Sequence, residues 1–134
     1  MSIDDRIRGS FNKQALMHTF GAELVSVAPG SVSIRAPIRE LALQQQGLAH
    51  AGLTFALGDS AAGYSALSVM PEDCEVVTSE IKINLLASAS GDHLTATGKV
   101  IKPGKRLVIV TSEVHRDDGK LVAILQGTMV PVPL

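Results

Sequence analysis

The chain is poor in aromatic side chains and has no excess of charge of either sign. Of its 134 residues only 3% are aromatic, with no Trp and a single Tyr. Twelve Lys and Arg against 13 Asp and Glu leave a net charge of −1. The stacking platforms that bind single-stranded nucleic acid and the positive field that attracts its backbone are therefore both missing. We expect no nucleic-acid partner, and any anion site must be a local cluster.

Cysteine is almost absent too. The only one, Cys74, cannot form an intramolecular disulfide. No basic stretch followed by an apolar one opens the chain, so we expect a cytoplasmic protein without a signal peptide. His18, His93 and His115 are scattered without the ligand spacing of a zinc site, and we expect no metal. With 46% hydrophobic residues, the length predicts a single domain over residues 1–134.

The longest apolar run, residues 53–70, has about the length of a membrane span. Small polar residues and one carboxylate interrupt it, and its flanks lack the Lys and Arg asymmetry that orients a span, so a helix buried in protein is the better interpretation. The carboxylate, Asp59, is the only charged side chain between Glu40 and Glu72. Burying a carboxylate is costly unless donors meet it. We therefore expect Asp59 to act as a general base or nucleophile.

Turn residues and periodicity predict the elements around this helix. A short amphipathic helix is predicted over residues 12–20, followed by a hairpin with strands 22–28 and 31–36 around Pro29-Gly30. Four more strands are predicted over residues 75–87, 93–102, 106–116 and 120–131. Their connectors are too short for parallel crossovers, so we expect an antiparallel meander. The sequence thus predicts an α+β hotdog fold, in which an antiparallel sheet of about six strands wraps around one long buried helix.

The entrance of the predicted helix carries the most specific motif. Gln44 stands six residues before His50, Gly47 stands three before it, and Asp59 stands nine after it. Ala51-Gly52 follows the histidine directly. This pattern resembles the hotdog-fold thioesterases of the PaaI type, whose motif runs Asn or Gln, then Gly, then His-Gly-Gly, then an acid.

The resemblance covers nearly the whole chain from about Gly21 onward and includes residues 81–86 and 98–102. Two positions depart from the pattern. Ala51 replaces the first glycine of His-Gly-Gly, which keeps the backbone N–H and adds only a methyl group. Residues 87–88 are Ala-Ser where many relatives have Arg-Pro, so no Arg is present there to supply a basic contact.

The resemblance implies an acyl-CoA thioester hydrolase that needs no cofactor beyond the coenzyme A of its substrate. A helix N-terminus offers unpaired N–H groups and the positive end of the dipole, which suits a developing oxyanion. We expect the N–H of Ala51, together with that of Gly52, to be the oxyanion donors. Gln44 would orient the thioester carbonyl or the attacking water. Asp59 would attack the thioester carbon or deprotonate water, and the sequence leaves both routes open.

Further candidates surround these groups. His50 is expected to shape the helix entrance rather than act as a base. Gly63 shares the face of Asp59 and either admits the acyl group or lets two helices approach. The other candidates for substrate contact are Gly47, Ser60 and a basic cluster around the Pro103-Gly104 turn that would bind the phosphates of coenzyme A, namely Lys99, Lys102, Lys105 and Arg106.

Helix geometry predicts how many chains one site needs. Nine residues turn a helix by about 900° and advance it by about 13.5 Å, so His50 and Asp59 project from opposite sides. One chain cannot present both to one carbonyl, and we expect a homodimer with shared sites. The resemblance implies the same dimer and usually a homotetramer. The alternative functions are a non-catalytic acyl-CoA binding protein and a hotdog hydratase or dehydratase.

Overall fold

Two short helices open the chain in the computed structural model, which describes all 134 residues. Helix α1 spans Ile3–Asn12, and helix α2 spans Ala15–Phe20 and ends at Gly21, whose φ of 68° suits glycine. The sequence predicted a single helix over residues 12–20. Helix α1 was missed because only a narrow apolar stripe, with Ile7 and Phe11 buried, runs through its charged residues.

The strands form one six-stranded antiparallel sheet, as predicted. Their order across the sheet is β1-β2-β4-β5-β6-β3. The bounds are β1 Glu23–Ala28, β2 Ser31–Pro37, β3 Cys74–Leu85, β4 His93–Pro103, β5 Val108–Arg116 and β6 Leu121–Pro133. The predicted meander is wrong at one position, because β3 pairs with β6 rather than with β4.

The connector between β3 and β4 explains this difference. The N–H of Leu86 donates to the carbonyl of Val122 at 2.7 Å, and the carbonyl of Ala89 accepts from Ala49 at 2.9 Å. Three residues later, the carbonyl of Asp92 accepts from Ile38 at 2.9 Å. The connector therefore runs along one end of the sheet, past the start of the long helix. This short connector is sufficient because the end of β3 and the start of β4 lie at the same end of the sheet. It places β4 beside β2.

Helix α3, Ala51–Leu67, is the long buried helix that the sequence predicted. It packs against every strand from β2 to β6. Strand β4 approaches it so closely that a Cβ atom on Gly98 would collide with the backbone carbonyl of Ala61. The sheet therefore wraps around α3, which confirms the hotdog fold. None of the helices has the length and apolar content that a membrane crossing requires.

The side chain of Arg6 ties helix α1 to the far end of α3. The guanidinium of Arg6 donates to the carbonyls of Leu67, Met70, Pro71 and Cys74 at 3.1, 2.8, 2.6 and 2.8 Å. Carbonyls at a helix C-terminus lack intrahelical partners and carry the negative end of the dipole, so a cation suits them. This contact holds the N-terminal segment against α3 and the start of β3.

Candidate active site

Asp59 lies in the middle of α3 and lines a cleft of about 190 Å³ between α3, the α1–α2 segment and β3. Its carboxylate is half-buried, and Thr78 Oγ1 on β3 donates to Oδ1 at 2.8 Å. Burial raises the pKa of Asp59 above its ordinary value, and the hydrogen bond from Thr78 only partly opposes this. A carboxylate with a raised pKa is a better proton acceptor than one in water.

The helix entrance has the local structure of a capped N-terminus. His50 is the N-cap residue of α3, and its Nδ1 accepts the N–H of Gly52 at 2.7 Å. This corrects the expectation that Gly52 N–H is an oxyanion donor, because that hydrogen is already bonded within the chain. Ala51 N–H makes no hydrogen bond. The structure therefore leaves Ala51 N–H as the free donor of the two, and His50 shapes the entrance.

Gln44 lies beside Ala51 in a second cleft, of about 180 Å³. Its Oε1 accepts the N–H of Gln46 at 2.6 Å and that of Leu48 at 3.2 Å, so the carboxamide closes the loop before α3. Gly47 sits within this loop at a φ of 81°, which explains the need for glycine. The Gln44 oxygen is thus engaged. Its Nε2 donates one hydrogen to Gln46 Oε1 at 3.2 Å and keeps the other for a further acceptor.

The two clefts share no lining residue. Gln44 and Ala51 lie in one, and Asp59 lies in the other with Ser60 and Gly63. A Cβ atom on Gly63 would meet nothing within 4 Å, so the cleft is open at that position. One chain therefore does not bring the predicted carboxylate and the predicted donor together.

The basic cluster lies apart from both clefts. The four side chains of the cluster are exposed and form no hydrogen bond or ion pair; they belong to Lys99, Lys102, Lys105 and Arg106. Val100 N–H donates to the carbonyl of Gly30, whose own N–H donates to Ser68 Oγ at 2.8 Å. These bonds place the β4–β5 hairpin at the C-terminal end of α3, about 24 Å along the axis from Ala51.

Residues that the sequence patterns did not single out line the Asp59 cleft. Gln14 Nε2 donates to the hydroxyl of Tyr64 at 3.0 Å, and Ser60 Oγ donates to Gln14 Oε1 at 3.3 Å. Gln14 could not be found, because it lies 45 positions before Asp59 in the sequence and precedes α2 as its N-cap, where one helix over residues 12–20 was predicted. The sequence does contain a signal near Thr78. The inward-facing apolar positions of β3 change from even to odd numbers between Val76 and Ile81, which indicates a β-bulge.

Comparison with known proteins shows the family to which the chain belongs. Residues 46–123 match the Thioesterase superfamily, a range that includes Ala51, Asp59 and Thr78. The chain belongs to this superfamily. This thioesterase-superfamily chain is 31% identical over 114 residues to the 1,4-dihydroxy-2-naphthoyl-CoA hydrolase of Listeria monocytogenes, covering 85% of the chain and 93% of that protein.

Solved structures agree with the fold of this thioesterase-superfamily chain. A thioesterase family protein from Silicibacter pomeroyi superposes with a TM-score of 0.94 at 34% identity, over 99% of this chain and 100% of that one. The Escherichia coli PaaI protein, from the phenylacetic acid degradation operon, superposes with a TM-score of 0.89 over 97% of this chain and 93% of that one. At 24% identity the second likeness shows the fold alone.

Proposed function

We propose that this chain hydrolyses an acyl- or aryl-CoA thioester to the free acid and coenzyme A, with Asp59 as its base or nucleophile. The observation that carries the proposal is the state of that carboxylate. It is half-buried in an open cleft, its pKa is raised by burial, and no cation pairs with it. A merely structural carboxylate would normally be paired or left in water. The similarity to a hydrolase of a CoA thioester supports the substrate class.

Two routes use the same groups. In the first, Asp59 takes a proton from water while the water oxygen bonds to the thioester carbon. In the second, a carboxylate oxygen attacks that carbon, and water then hydrolyses the mixed anhydride. On either route the carbonyl oxygen becomes negative and is bound by Ala51 N–H, and the carbon–sulfur bond breaks. On the first route the departing thiolate takes up the proton that Asp59 removed from water, and on the second it takes up one released by the water that hydrolyses the anhydride.

Either route needs two copies of the chain, because the donor and the carboxylate lie in separate clefts. Strand β3 supports such an arrangement. It is an edge strand 12 residues long that pairs only with β6, and Val77 and Leu85 on it are 48% and 54% exposed. A long edge strand leaves a row of N–H and C=O groups without partners in the sheet and is a template for pairing with another chain.

The positions of the clefts along β3 agree with a twofold arrangement. Glu75, Val76 and Thr78 line the Asp59 cleft, whereas Leu85 lines the entrance cleft. Antiparallel pairing of two β3 edges about an axis near Glu80 would bring the Asp59 cleft of one copy beside the helix entrance of the other. We therefore propose a homodimer with two shared sites, and a homotetramer as its further assembly.

The test is a panel of aliphatic and aryl-CoA thioesters, with the released thiol followed for wild-type protein and Asp59→Asn. Hydrolysis by the wild type and its loss in the variant are expected. Asp118→Asn is the matched control, because Asp118 lies exposed in the β5–β6 turn, where Arg116 lowers its pKa to about 2. Binding without turnover, unchanged by Asp59→Asn, would favour the binding-protein alternative. Hydration of an enoyl-CoA without thiol release would favour the hydratase.

A further inference from the structure

The contact between Thr78 and Asp59 is a single, directed one. Thr78 Oγ1 lies 2.8 Å from Asp59 Oδ1 and 3.2 Å from the sulfur of Met129. A hydroxyl has one proton to donate, and an ionised carboxylate is a stronger acceptor than a thioether sulfur. The proton therefore goes to Asp59, and Met129 packs against the same hydroxyl. Asp59 Oδ2 accepts no hydrogen bond in the chain.

A β-bulge sets the direction of the Thr78 side chain. Thr78 pairs with Met129, but the next pair in the ladder is Glu80 with Thr128, so Ser79 is an extra residue. Before Ser79 the even-numbered side chains of β3 face α3. After Ser79 the odd-numbered side chains of Ile81 and Ile83 face α3. Without the extra residue, a strand that buries Ile81 would turn Thr78 to the outer face.

We propose that Thr78 is a positioning residue, which holds the Asp59 carboxylate through Oδ1 and leaves Oδ2 as the oxygen that reacts. This inference rests on the proposed function and adds to it the group that orients the carboxylate. Free rotation of the carboxylate would present either oxygen in many directions. A fixed donor on one oxygen restricts it to one orientation, which favours the geometry that the reaction needs. The bulge serves to place that donor.

The hydrogen bond also affects the protonation of the site. Among the residues lining the cleft, the other titratable side chains are Glu75 from β3 and Tyr64 from α3, and α1 contributes only the uncharged Ser10. No Lys, Arg or His lines it. Thr78 is therefore the group that favours the ionised form of Asp59 against burial. Its removal should raise the pKa of Asp59 further and move the acid limb of the activity profile to higher pH.

The experiment compares Thr78→Val, which keeps the shape and loses the hydroxyl, with Thr78→Ser, which keeps the hydroxyl. For Thr78→Val we expect kcat/KM on the plateau to fall about tenfold or more and the acid limb to shift to higher pH. Thr78→Ser should retain the wild-type limb. Thr128→Val is the matched control, since Thr128 Oγ1 also donates to a carboxylate, Glu80 Oε2 at 2.6 Å, but outside the cleft. It should leave the profile unchanged.

A second measurement does not depend on turnover. Carbon-13 NMR of labelled Asp carboxyl groups, with Asp59→Asn to assign the resonance, follows the titration of Asp59 directly. We expect Asp59 to titrate at higher pH in Thr78→Val than in wild type. Equal titration and equal pH profiles would overturn the role of Thr78, while thiol release lost in Asp59→Asn would still support the proposed hydrolase. Thermal unfolding of Thr78→Ser and Thr78→Val shows whether each variant is folded.

Discussion

The two clefts along α3 contain different kinds of polar group. At the helix entrance the polar groups are backbone N–H groups and amides, and nearly all of them are bonded to neighbours such as His50 and Gln44. In the middle of the helix the polar group is the carboxylate of Asp59, with one hydroxyl partner for two oxygens. The polar groups of the entrance are almost all hydrogen-bonded, whereas the Asp59 carboxylate has one partner and a raised pKa. This contrast supports the proposed division of roles, in which the first cleft binds the developing charge and the second provides proton transfer or attack.

The largest effect on activity is expected from removing the carboxylate of the Asp59 cleft. Asp59→Asn keeps the shape of the side chain and its contact with Thr78 but loses the negative charge. We expect kcat to fall by about 10²-fold or more while KM changes little, as for loss of a base or nucleophile. Steady-state kinetics on the best thioester of the panel measures this. Wild-type turnover in the variant would show that the Asp59 carboxylate is not the reactive group and that the two clefts do not divide the roles as proposed.

Mixed dimers test whether the two halves come from different chains. Ala51→Pro removes the free N–H without breaking any bond, and His50 already has the extended backbone, with ψ of 141°, that precedes a proline. Alone, Ala51→Pro and Asp59→Asn should each be inactive.

Random exchange between these subunits should restore up to about a quarter of the sites, because half of the dimers are mixed and each has one intact site. Ala51→Ser keeps the N–H and serves as the control. No recovery after confirmed exchange, or a fully active monomer by light scattering, would contradict the shared site.

A smaller effect is expected at the basic cluster, which lies away from both clefts. Replacing Lys105 and Arg106 by Ala should raise KM for an acyl-CoA about three- to tenfold, since exposed ion pairs are individually weak. A short thioester without the nucleotide should be affected far less. Similar changes for both substrates would mean that the cluster is a solvated hairpin end rather than a phosphate site.

The smallest effect concerns stability. Because burial raises the pKa of Asp59, the folded protein binds this proton more tightly than the unfolded chain does. Stability therefore falls as pH rises from the ordinary Asp value through the raised one, and stays lower above it. Asp59→Asn lacks this loss, so its melting temperature should exceed that of wild type at neutral pH. Below about pH 4 the difference should shrink, since both side chains are then neutral. A lower melting temperature at pH 7 would argue against burial as the dominant influence.

Spacing in the sequence was enough to predict the central helix, the loop before it and the separation of Asp59 from Ala51. These depend on local periodicity and on the fixed rise and turn of a helix. The hairpin of β1 and β2 was predicted for the same reason, because Pro29-Gly30 marks its turn. Such features depend only on residues that are close together in the sequence, so they can be predicted from it.

Pairing and contacts between distant segments could not be predicted in this way. The place of β3 beside β6 depends on a connector that passes the helix entrance, and nothing within the strand itself encodes that path. The engagement of Gly52 by His50 depends on one side-chain rotamer. Gln14 reaches the Asp59 cleft only because α1 is anchored near the end of α3. Helix α1 was not predicted, because most of its residues are charged or polar.

That anchor has an evolutionary consequence. The α1–α2 segment lies before the residues that match the superfamily, and Arg6 holds it through backbone carbonyls alone. Carbonyls are present whatever the side chains are, so the attachment survives sequence change at the positions that it grips. Substitutions at Ser10 and Gln14, which form one wall of the Asp59 cleft, therefore leave the Arg6 contacts in place, although they remove bonds to Tyr64 and Ser60. Such substitutions change the lining of the cleft without changing the carboxylate, its threonine or the sheet.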